Sequence, residues 1–139
     1  IIESCDCLRL GLNAEDGAYI VPLNFAYVPG KPAKFYFHSA KEGRKVDMIG
    51  QGAKAGFELD GAHRLGEAET GCRHTFFYQS VIGTGTVRPV ETLEEKKRAL
   101  SAIMAHYRKD CAFSFTDDQA DAVAVFCLTA ETMSCKQHS

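Results

Sequence analysis

Apolar and polar residues alternate with a period of two along several stretches of the chain, which is the pattern of half-buried β-strands. The first stretch runs through Leu8, Leu10 and Leu12, and the second covers residues 18–28. Residues 14–17 between them end in Asp-Gly, the strongest short-range hairpin signal, so the two stretches predict an antiparallel hairpin.

Pro22 lies inside the second of these stretches. Proline has no N–H to donate to a β-ladder, so this strand is predicted to lie at a sheet edge or to be interrupted there. An interrupted ladder would leave backbone N–H and C=O groups available to a ligand.

Four further stretches alternate in the same way, at residues 34–38, 54–60, 74–90 and 122–132. Gly83 and Gly85 allow a β-bulge in the longest of them. Residues 61–71 lack the alternation and are predicted to form a loop. The pattern therefore predicts about six strands.

Two segments, residues 39–42 and 92–95, contain the Ser/Thr-x-x-Glu spacing of a helix capping box. The first helix is predicted to end near Gly50 or Gly52, and the second near Tyr107. Each helix would place an apolar stripe against the sheet.

The 139 residues, 45% of them hydrophobic, are typical of a single globular domain spanning residues 1–139. Residues 116–120 are predicted to form a third, short helical turn. Tight turns between neighbouring strands favour antiparallel pairing. The fold class predicted from the pattern is a mainly β protein, a small antiparallel barrel with two to three helices.

The 16 Lys and Arg residues against 18 Asp and Glu give a net charge of −2, which argues against a dedicated nucleic-acid binder. No apolar run approaches the length of about 18 residues that a membrane helix needs. No charged-then-apolar leader opens the sequence, so we expect a cytoplasmic protein with reduced cysteines.

Metal binding has one candidate set, in which Cys5-x-Cys7 would be joined by Cys72-x-His74 and His63. A zinc site requires a second ligand pair at matching spacing, and Cys5-x-Cys7 also fits the start of a strand. We therefore expect no metal site.

Positive charge is concentrated where a predicted strand leads into the first helix. Residues 31–45 contain five basic residues and one acidic residue, a local charge of +4. Unpaired N–H groups at a helix start, with arginine and lysine beside them, suit a phosphate group. A solvated charged face is the alternative interpretation of the same cluster.

Four segments of the chain together resemble the flavin-binding split-barrel family, which includes pyridoxamine 5′-phosphate oxidase. They are residues 19–27, residues 35–45 with the strand-to-helix motif Phe-Tyr-Phe-His-Ser-Ala-Lys-Glu-Gly-Arg-Lys, residues 78–85 and residues 94–100. The likeness extends over residues 8–136 and is greatest to the 5-nitroimidazole-resistance branch. Two departures are Cys135 before Lys136, where the family usually has glycine, and a short N-terminal segment.

The resemblance implies a six-stranded antiparallel split barrel of Greek-key type that forms a homodimer and binds FMN at the subunit interface. Gly43, Arg44 and Lys45 would bind the phosphate. The ring would lie along Val21, Pro22, Leu23, Asn24 and Phe25, flanked by His38, Ser39 and Ala40, with Gln79, Ser80 and Val81 reaching the partner's cofactor.

The resemblance also implies an FMN-dependent oxidoreductase that takes a hydride from a reduced nicotinamide and reduces a small organic acceptor, such as a nitroimidazole or another nitroaromatic. His38 is the candidate catalytic residue, because the ordinary pKa of histidine lies near neutral pH; a strand-end histidine bonded to backbone is the alternative. A non-catalytic flavin- or haem-binding stress or storage protein, and a deazaflavin-using split barrel, are the rival functions.

Overall fold

The computed structural model describes all residues, 1–139, and contains seven β-strands, three α-helices and two short 3-10 helices. The strands are β1 (Leu8–Ala14), β2 (Gly17–Leu23), β3 (Ala26–Val28), β4 (Lys34–Ser39), β5 (Ala53–Gly66), β6 (Thr75–Pro89) and β7 (Ala124–His138). The α-helices are α1 (Arg44–Ile49), α2 (Leu93–Tyr107) and α3 (Asp117–Asp121), and the 3-10 helices are Ile2–Ser4 and Gly71–Arg73.

All seven strands form one antiparallel sheet in the order β2-β1-β5-β6-β7-β4-β3. The two edge strands, β2 and β3, follow each other in the chain and are joined only by Asn24 and Phe25. Three Cα–Cα steps between Leu23 and Ala26 cover at most about 11 Å. The sheet must therefore curl until its two edges approach each other, which gives an open barrel.

The mainly β, antiparallel architecture and the three α-helices agree with that part of the predicted fold class, whereas the sheet is not closed, since its edge strands β2 and β3 do not pair. The structure has seven strands rather than six, because residues 18–28 divide into β2 and β3 at Asn24–Phe25. Pro22 is on β2, an edge strand, as the missing N–H predicts.

The core lies inside the curl of the sheet and is rich in aromatic side chains. The ring of Phe35 lies 6.2 Å from that of Phe25 and 5.1 Å from that of Phe57, measured between centroids. Phe37 and Phe126 stack at 5.3 Å. Such pairs add about 0.5–1.5 kcal/mol each beyond the burial of their area.

Strands β5 and β7 continue past the ends that the hydrophobic pattern predicts. Residues 61–66, expected in a loop, pair with β6 through Arg64↔Phe77 and Leu65↔Phe76 after a register shift. The last residues of β7, up to His138, also pair with β6. Most of these side chains are exposed, so neither face of these strand segments needs apolar residues. The sequence therefore shows no hydrophobic alternation there.

The capping box predicted at residues 39–42 does not form. Ser39 ends β4, and its hydroxyl donates to the Ala40 carbonyl at 2.7 Å. Helix α1 begins four residues later than expected, after Gly43, whose φ of 142° is readily adopted only by glycine. The end of α1 at Ile49, followed by Gly50, confirms the prediction.

The second capping box forms in part. The Thr92 hydroxyl accepts the Glu95 N–H at 3.2 Å. The Glu95 carboxylate does not return to the Thr92 backbone but accepts hydrogen bonds from Tyr36 at 2.9 Å and Arg88 at 3.1 Å. These bonds fix the start of α2 against β4 and β6.

All six cysteines are free thiols. None of the helices combines the length and apolarity required to cross a membrane. The β6–β7 register shifts between Thr84 and Gly85, but the extra residue is Glu131 of β7, so the bulge lies on β7 and not on the glycine-containing strand that the sequence predicts.

The bulge region supplies a stability prediction at Gly83. A Cβ at Gly83 would collide with the Thr132 carbonyl oxygen and the Phe57 ring, whereas one at Gly71 would meet nothing within 4 Å. We expect Gly83→Ala to lower the free energy of unfolding by about 1–3 kcal/mol through overpacking. Gly71→Ala, the matched control, should change it by less than about 0.5 kcal/mol. Urea unfolding measures both, and equal values for the two variants would contradict this packing.

Candidate functional site

The first group of predicted site residues occupies the free edge of the sheet. Val21, Pro22 and Leu23 end β2, and Asn24 and Phe25 form the link to β3. Pro22 and Asn24 are exposed, while Leu23 and Phe25 are buried. Because β2 has a neighbour on one side only, part of its backbone is free to hydrogen-bond a ligand. Phe25 has no exposed surface in this chain and Leu23 is only 8% exposed, so the accessible part of this group is Val21, Pro22 and Asn24.

The second group of predicted site residues, His38 to Ala40, and the third, Gly43 to Lys45, are close in the chain, where β4 leads into α1. His38 and Ser39 end β4, where they pair with Val125 and Ala124 of β7. Ala40 follows in an exposed turn. This turn carries the chain from the sheet edge to the start of α1.

Arg44 brings the start of α1 to the β1–β2 hairpin. Its guanidinium carbon lies 4.4 Å from the centroid of the Tyr19 ring, and its Nη2 lies 3.4 Å from Asp16 Oδ1. Tyr19 and Val21 point to the same side of β2, since side chains two apart in a strand share a face. The structure thus brings together the β2 edge and the basic start of α1.

Helix α1 has only six residues, so its dipole is small and the attraction of an anion depends on the side chains. The charge around it is also less positive than the sequence indicates. Asp16 partly offsets Arg44, and Asp121 lies 3.9 Å from Lys41. Lys45 has no carboxylate partner within 4 Å, and partial burial lowers its pKa.

A surface cavity of about 680 Å³ opens beside Arg44. Its wall includes Met48 of α1 and residues 13–16 of the β1–β2 hairpin. The cavity is wide open to solvent, so this chain alone would cover only one side of a ligand bound there.

Although part of the His38 residue is exposed, the surrounding protein partly desolvates its imidazole and lowers its pKa, and the positive charge of Lys45 lowers it further. The imidazole is therefore neutral at pH 7, because even the ordinary pKa of about 6.5 lies below that value. In this state it can donate one hydrogen bond and accept another, but it carries no charge.

The last predicted group lies elsewhere in the sheet. Gln79, Ser80 and Val81 occupy β6, between β5 and β7, and the Val81 side chain is buried. Strands β5 and β1 separate β6 from β2. Within one chain, this group is thus set apart from the β2 edge.

Two residues that the sequence did not single out for a site hold the β2–β3 link. The Tyr107 hydroxyl accepts the Phe25 N–H at 3.1 Å and donates to the Asp6 carbonyl at 2.7 Å. His106 places its ring 4.4 Å from that of Phe25, and its Nε2 lies 2.7 Å from the Cys5 carbonyl oxygen. The partners lie 82 and 101 residues away, so no local pattern could indicate these bonds.

A second network anchors α2. Burial first, and then the hydrogen bond to Glu95, raises the pKa of Tyr36. Burial alone would raise the pKa of Glu95, but the hydrogen bonds from Tyr36 and Arg88 lower it below its usual value. The carboxylate therefore stays charged at neutral pH and keeps both bonds.

The candidate metal ligands are dispersed. Cys72 and His74 are exposed, and His74 Nδ1 lies 2.9 Å from the Thr70 carbonyl oxygen. His63 instead lies near Asp60, with 3.5 Å between Nε2 and Oδ2. No group of three or more His, Cys, Asp or Glu side chains is arranged to hold a metal ion.

The family model for pyridoxamine 5′-phosphate oxidase matches residues 1–137. The fold is similar to that of a candidate 5-nitroimidazole antibiotic resistance protein from Bacteroides thetaiotaomicron, known from its crystal structure. The two share 31% identity at a TM-score of 0.82, over 97% of this chain and 78% of that one. No curated protein matches the sequence.

Two more distant structures share the fold. The FAD and heme binding protein from Mycobacterium smegmatis has 15% identity and a TM-score of 0.81, with 99% of this chain and 68% of that chain covered. The flavocytochrome from Azotobacter vinelandii has 15% identity and a TM-score of 0.78, with 100% and 64% covered. Identities this low establish the fold alone.

The lowered pKa of His38 predicts a pH dependence of stability. The unfolded chain takes up the proton at about pH 6.5, before the folded chain does, so stability is complete above that pH and declines below it. We expect the wild type to lose more stability between about pH 7.5 and about pH 5 than His38→Gln does. Urea unfolding at the two pH values measures the difference. An equal loss in both proteins would show that His38 does not contribute.

Proposed function

Since this chain belongs to the pyridoxamine 5′-phosphate oxidase family, we propose that it is an FMN-dependent oxidoreductase. The observation that carries the proposal is the stacking of Arg44 on Tyr19, which holds a basic helix start against the free edge of β2. A phosphate group and a flat, hydrogen-bonding ring need these two surfaces side by side.

The residues at the start of α1 fit a phosphate. Gly43 precedes the helix, and its lack of a side chain leaves the approach to the first N–H groups open; a Cβ there would meet nothing within 4 Å. Arg44 offers planar donors suited to phosphate oxygens, and Lys45 adds a charge without a carboxylate partner within 4 Å. Together they would bind the FMN phosphate.

The β2 edge fits the ring. Those backbone groups of Val21, Pro22 and Leu23 that point away from β1, and the exposed side chain of Asn24, would hydrogen-bond its polar edge. Ser39 and Ala40 would border the ring where the chain leaves β4. Gln79, Ser80 and the Val81 backbone would reach the cofactor of a partner subunit, since they lie away from the β2 edge of their own chain.

FMN, when bound, would supply two-electron chemistry between a hydride donor, such as a reduced nicotinamide, and a small organic acceptor. The protein binds and orients the reactants. His38, as a neutral imidazole, would orient the acceptor by a hydrogen bond. A nitroaromatic such as a nitroimidazole is the proposed acceptor, supported by the 31%-identical relative from Bacteroides thetaiotaomicron.

An absorption spectrum and an anaerobic titration test the activity. A flavin spectrum that bleaches with reduced nicotinamide and returns on addition of a nitroimidazole is the expected result. A Soret band would instead indicate the haem-binding alternative. FMN that binds but never bleaches would indicate a non-catalytic flavoprotein.

A second copy of the chain is the proposed partner, and the outer face of the sheet supports this. Ile20 is 63% exposed and Ile82 is 58% exposed, and the strand register places both on that face. Gly11 and Gly56 lie between them and leave a depression of about 320 Å³ beside Ile20. Two such faces related by a two-fold axis would bury both isoleucines.

The phosphate site is tested by removing its charges. We expect Arg44→Ala with Lys45→Ala to weaken FMN binding at least tenfold, about 1.4 kcal/mol, because two charge-assisted contacts are lost. Riboflavin, which lacks the phosphate, should bind the variant and the wild type equally. Flavin fluorescence titration measures both affinities.

The adjacent basic pair Lys97 and Arg98 on α2 provides the matched control. Lys97→Ala with Arg98→Ala removes the same charge far along the chain from α1 and should leave the FMN affinity unchanged. If the two double variants weaken FMN binding equally, the effect is one of net charge and the assigned phosphate site is wrong.

The dimer is tested at Ile20. Ile20→Asp should convert a dimer into a monomer, since a carboxylate would be buried in the interface. Leu93→Asp, which changes an exposed leucine at the start of α2, should remain dimeric. Light scattering after size-exclusion chromatography gives the masses. A monomeric wild type, or a dimeric Ile20→Asp variant, would contradict this interface.

A further inference from the structure

The Phe25 N–H lies at an unusual place in the sheet. Phe25 belongs to the two-residue link between β2 and β3, so its N–H is outside both ladders, yet the residue is fully buried. A buried N–H without a partner is costly, and Tyr107 supplies the partner. The bond measures 3.1 Å from the Phe25 nitrogen to the Tyr107 oxygen.

The same hydroxyl is bound on its other side. It donates to the Asp6 carbonyl at 2.7 Å, and this fixes the direction of its proton and leaves a lone pair for Phe25. The preceding residue reinforces the arrangement, because His106 Nε2 lies 2.7 Å from the Cys5 carbonyl oxygen. The last two residues of α2 thus join the N-terminal segment to the link.

The Phe25 side chain is held separately from its backbone. Its ring contacts His106 at 4.4 Å and Phe35 at 6.2 Å between centroids, so the core retains the ring without any help from the Tyr107 hydroxyl. The hydroxyl therefore acts on the direction of the peptide unit between Asn24 and Phe25. That peptide sets where the exposed Asn24 side chain lies.

We propose that Tyr107 is a positioning residue that holds the Asn24–Phe25 peptide in the orientation that binds the flavin ring. This inference rests on the proposed function, in which Asn24 and the β2 edge contact the ring. Tyr107 does not touch the cofactor; it acts through the Phe25 N–H.

The effect is local, because α2 has other anchors. Glu95 binds Tyr36 and Arg88 at the opposite end of the helix, and Leu100 and Ile103 are buried in its middle. Loss of one hydroxyl at the C-terminal end leaves these contacts intact. The link would loosen while the helix remains in place.

Tyr107→Phe tests the role, since it removes the hydroxyl and keeps the ring. Losing a hydrogen bond to a buried N–H should weaken FMN binding about three- to tenfold. Hydrogen exchange at the Phe25 amide, measured without flavin, should accelerate by a similar factor or more. The visible circular dichroism of bound FMN should also change, which a purely structural role would not require.

Tyr27→Phe is the control, because the Tyr27 hydroxyl makes no hydrogen bond within the protein. It should leave both the FMN affinity and the exchange rate at Phe25 unchanged. Far-UV circular dichroism in the cold confirms that each variant is folded.

The outcomes separate the two proposals. A wild type that fails to bind FMN overturns the proposed function, and the positioning role with it. A wild type that binds FMN no more tightly than Tyr107→Phe overturns the positioning role alone. Failure of Tyr107→Phe to fold in the cold also overturns it, because the hydroxyl would then support the whole fold rather than the link.

Discussion

The two-residue link between β2 and β3 is the constraint on which the barrel depends. These strands lie at opposite edges of a seven-stranded sheet, yet only Asn24 and Phe25 separate them in the chain. The sheet has to curl to satisfy this short connection, and the curl encloses the aromatic core around Phe25 and Phe35. Because the link makes no ladder of its own, the edge of β2 stays open beside it. One feature thus creates both the core and the proposed flavin edge.

The positions of the charged side chains near the start of α1 also follow from this geometry. Arg44 reaches the hairpin because it is the first residue of α1, directly after Gly43, and there it contacts Tyr19 and Asp16. Asp16 holds the guanidinium in place, while its own negative charge competes with any bound anion. An exposed pair of this kind contributes little to stability, about 0–1 kcal/mol. Its larger effect would be to keep Arg44 extended along the hairpin before a phosphate binds.

Local signals were sufficient for much of the fold. The β1–β2 turn, the edge position of Pro22 and the start of α2 directly after Thr92 agree with the structure. The signals failed where pairing alone makes a strand, as at residues 61–66, whose exposed side chains carry no alternation. The local signals also failed at Ser39. Its spacing to Glu42 is that of a helix capping box, but α1 begins only after Gly43, whose positive φ favours glycine.

The sequence by itself determined the fold class, the family and the basic strand-to-helix segment that contains Arg44 and Lys45, because periodicity and motifs are encoded in neighbouring residues. Only the tertiary structure decided which of those residues meet. It set Arg44 on Tyr19, separated β6 from the β2 edge and placed Tyr107 on the Phe25 N–H. These contacts join residues far apart in the chain, and their geometry depends on how the whole sheet curls, which no local pattern records.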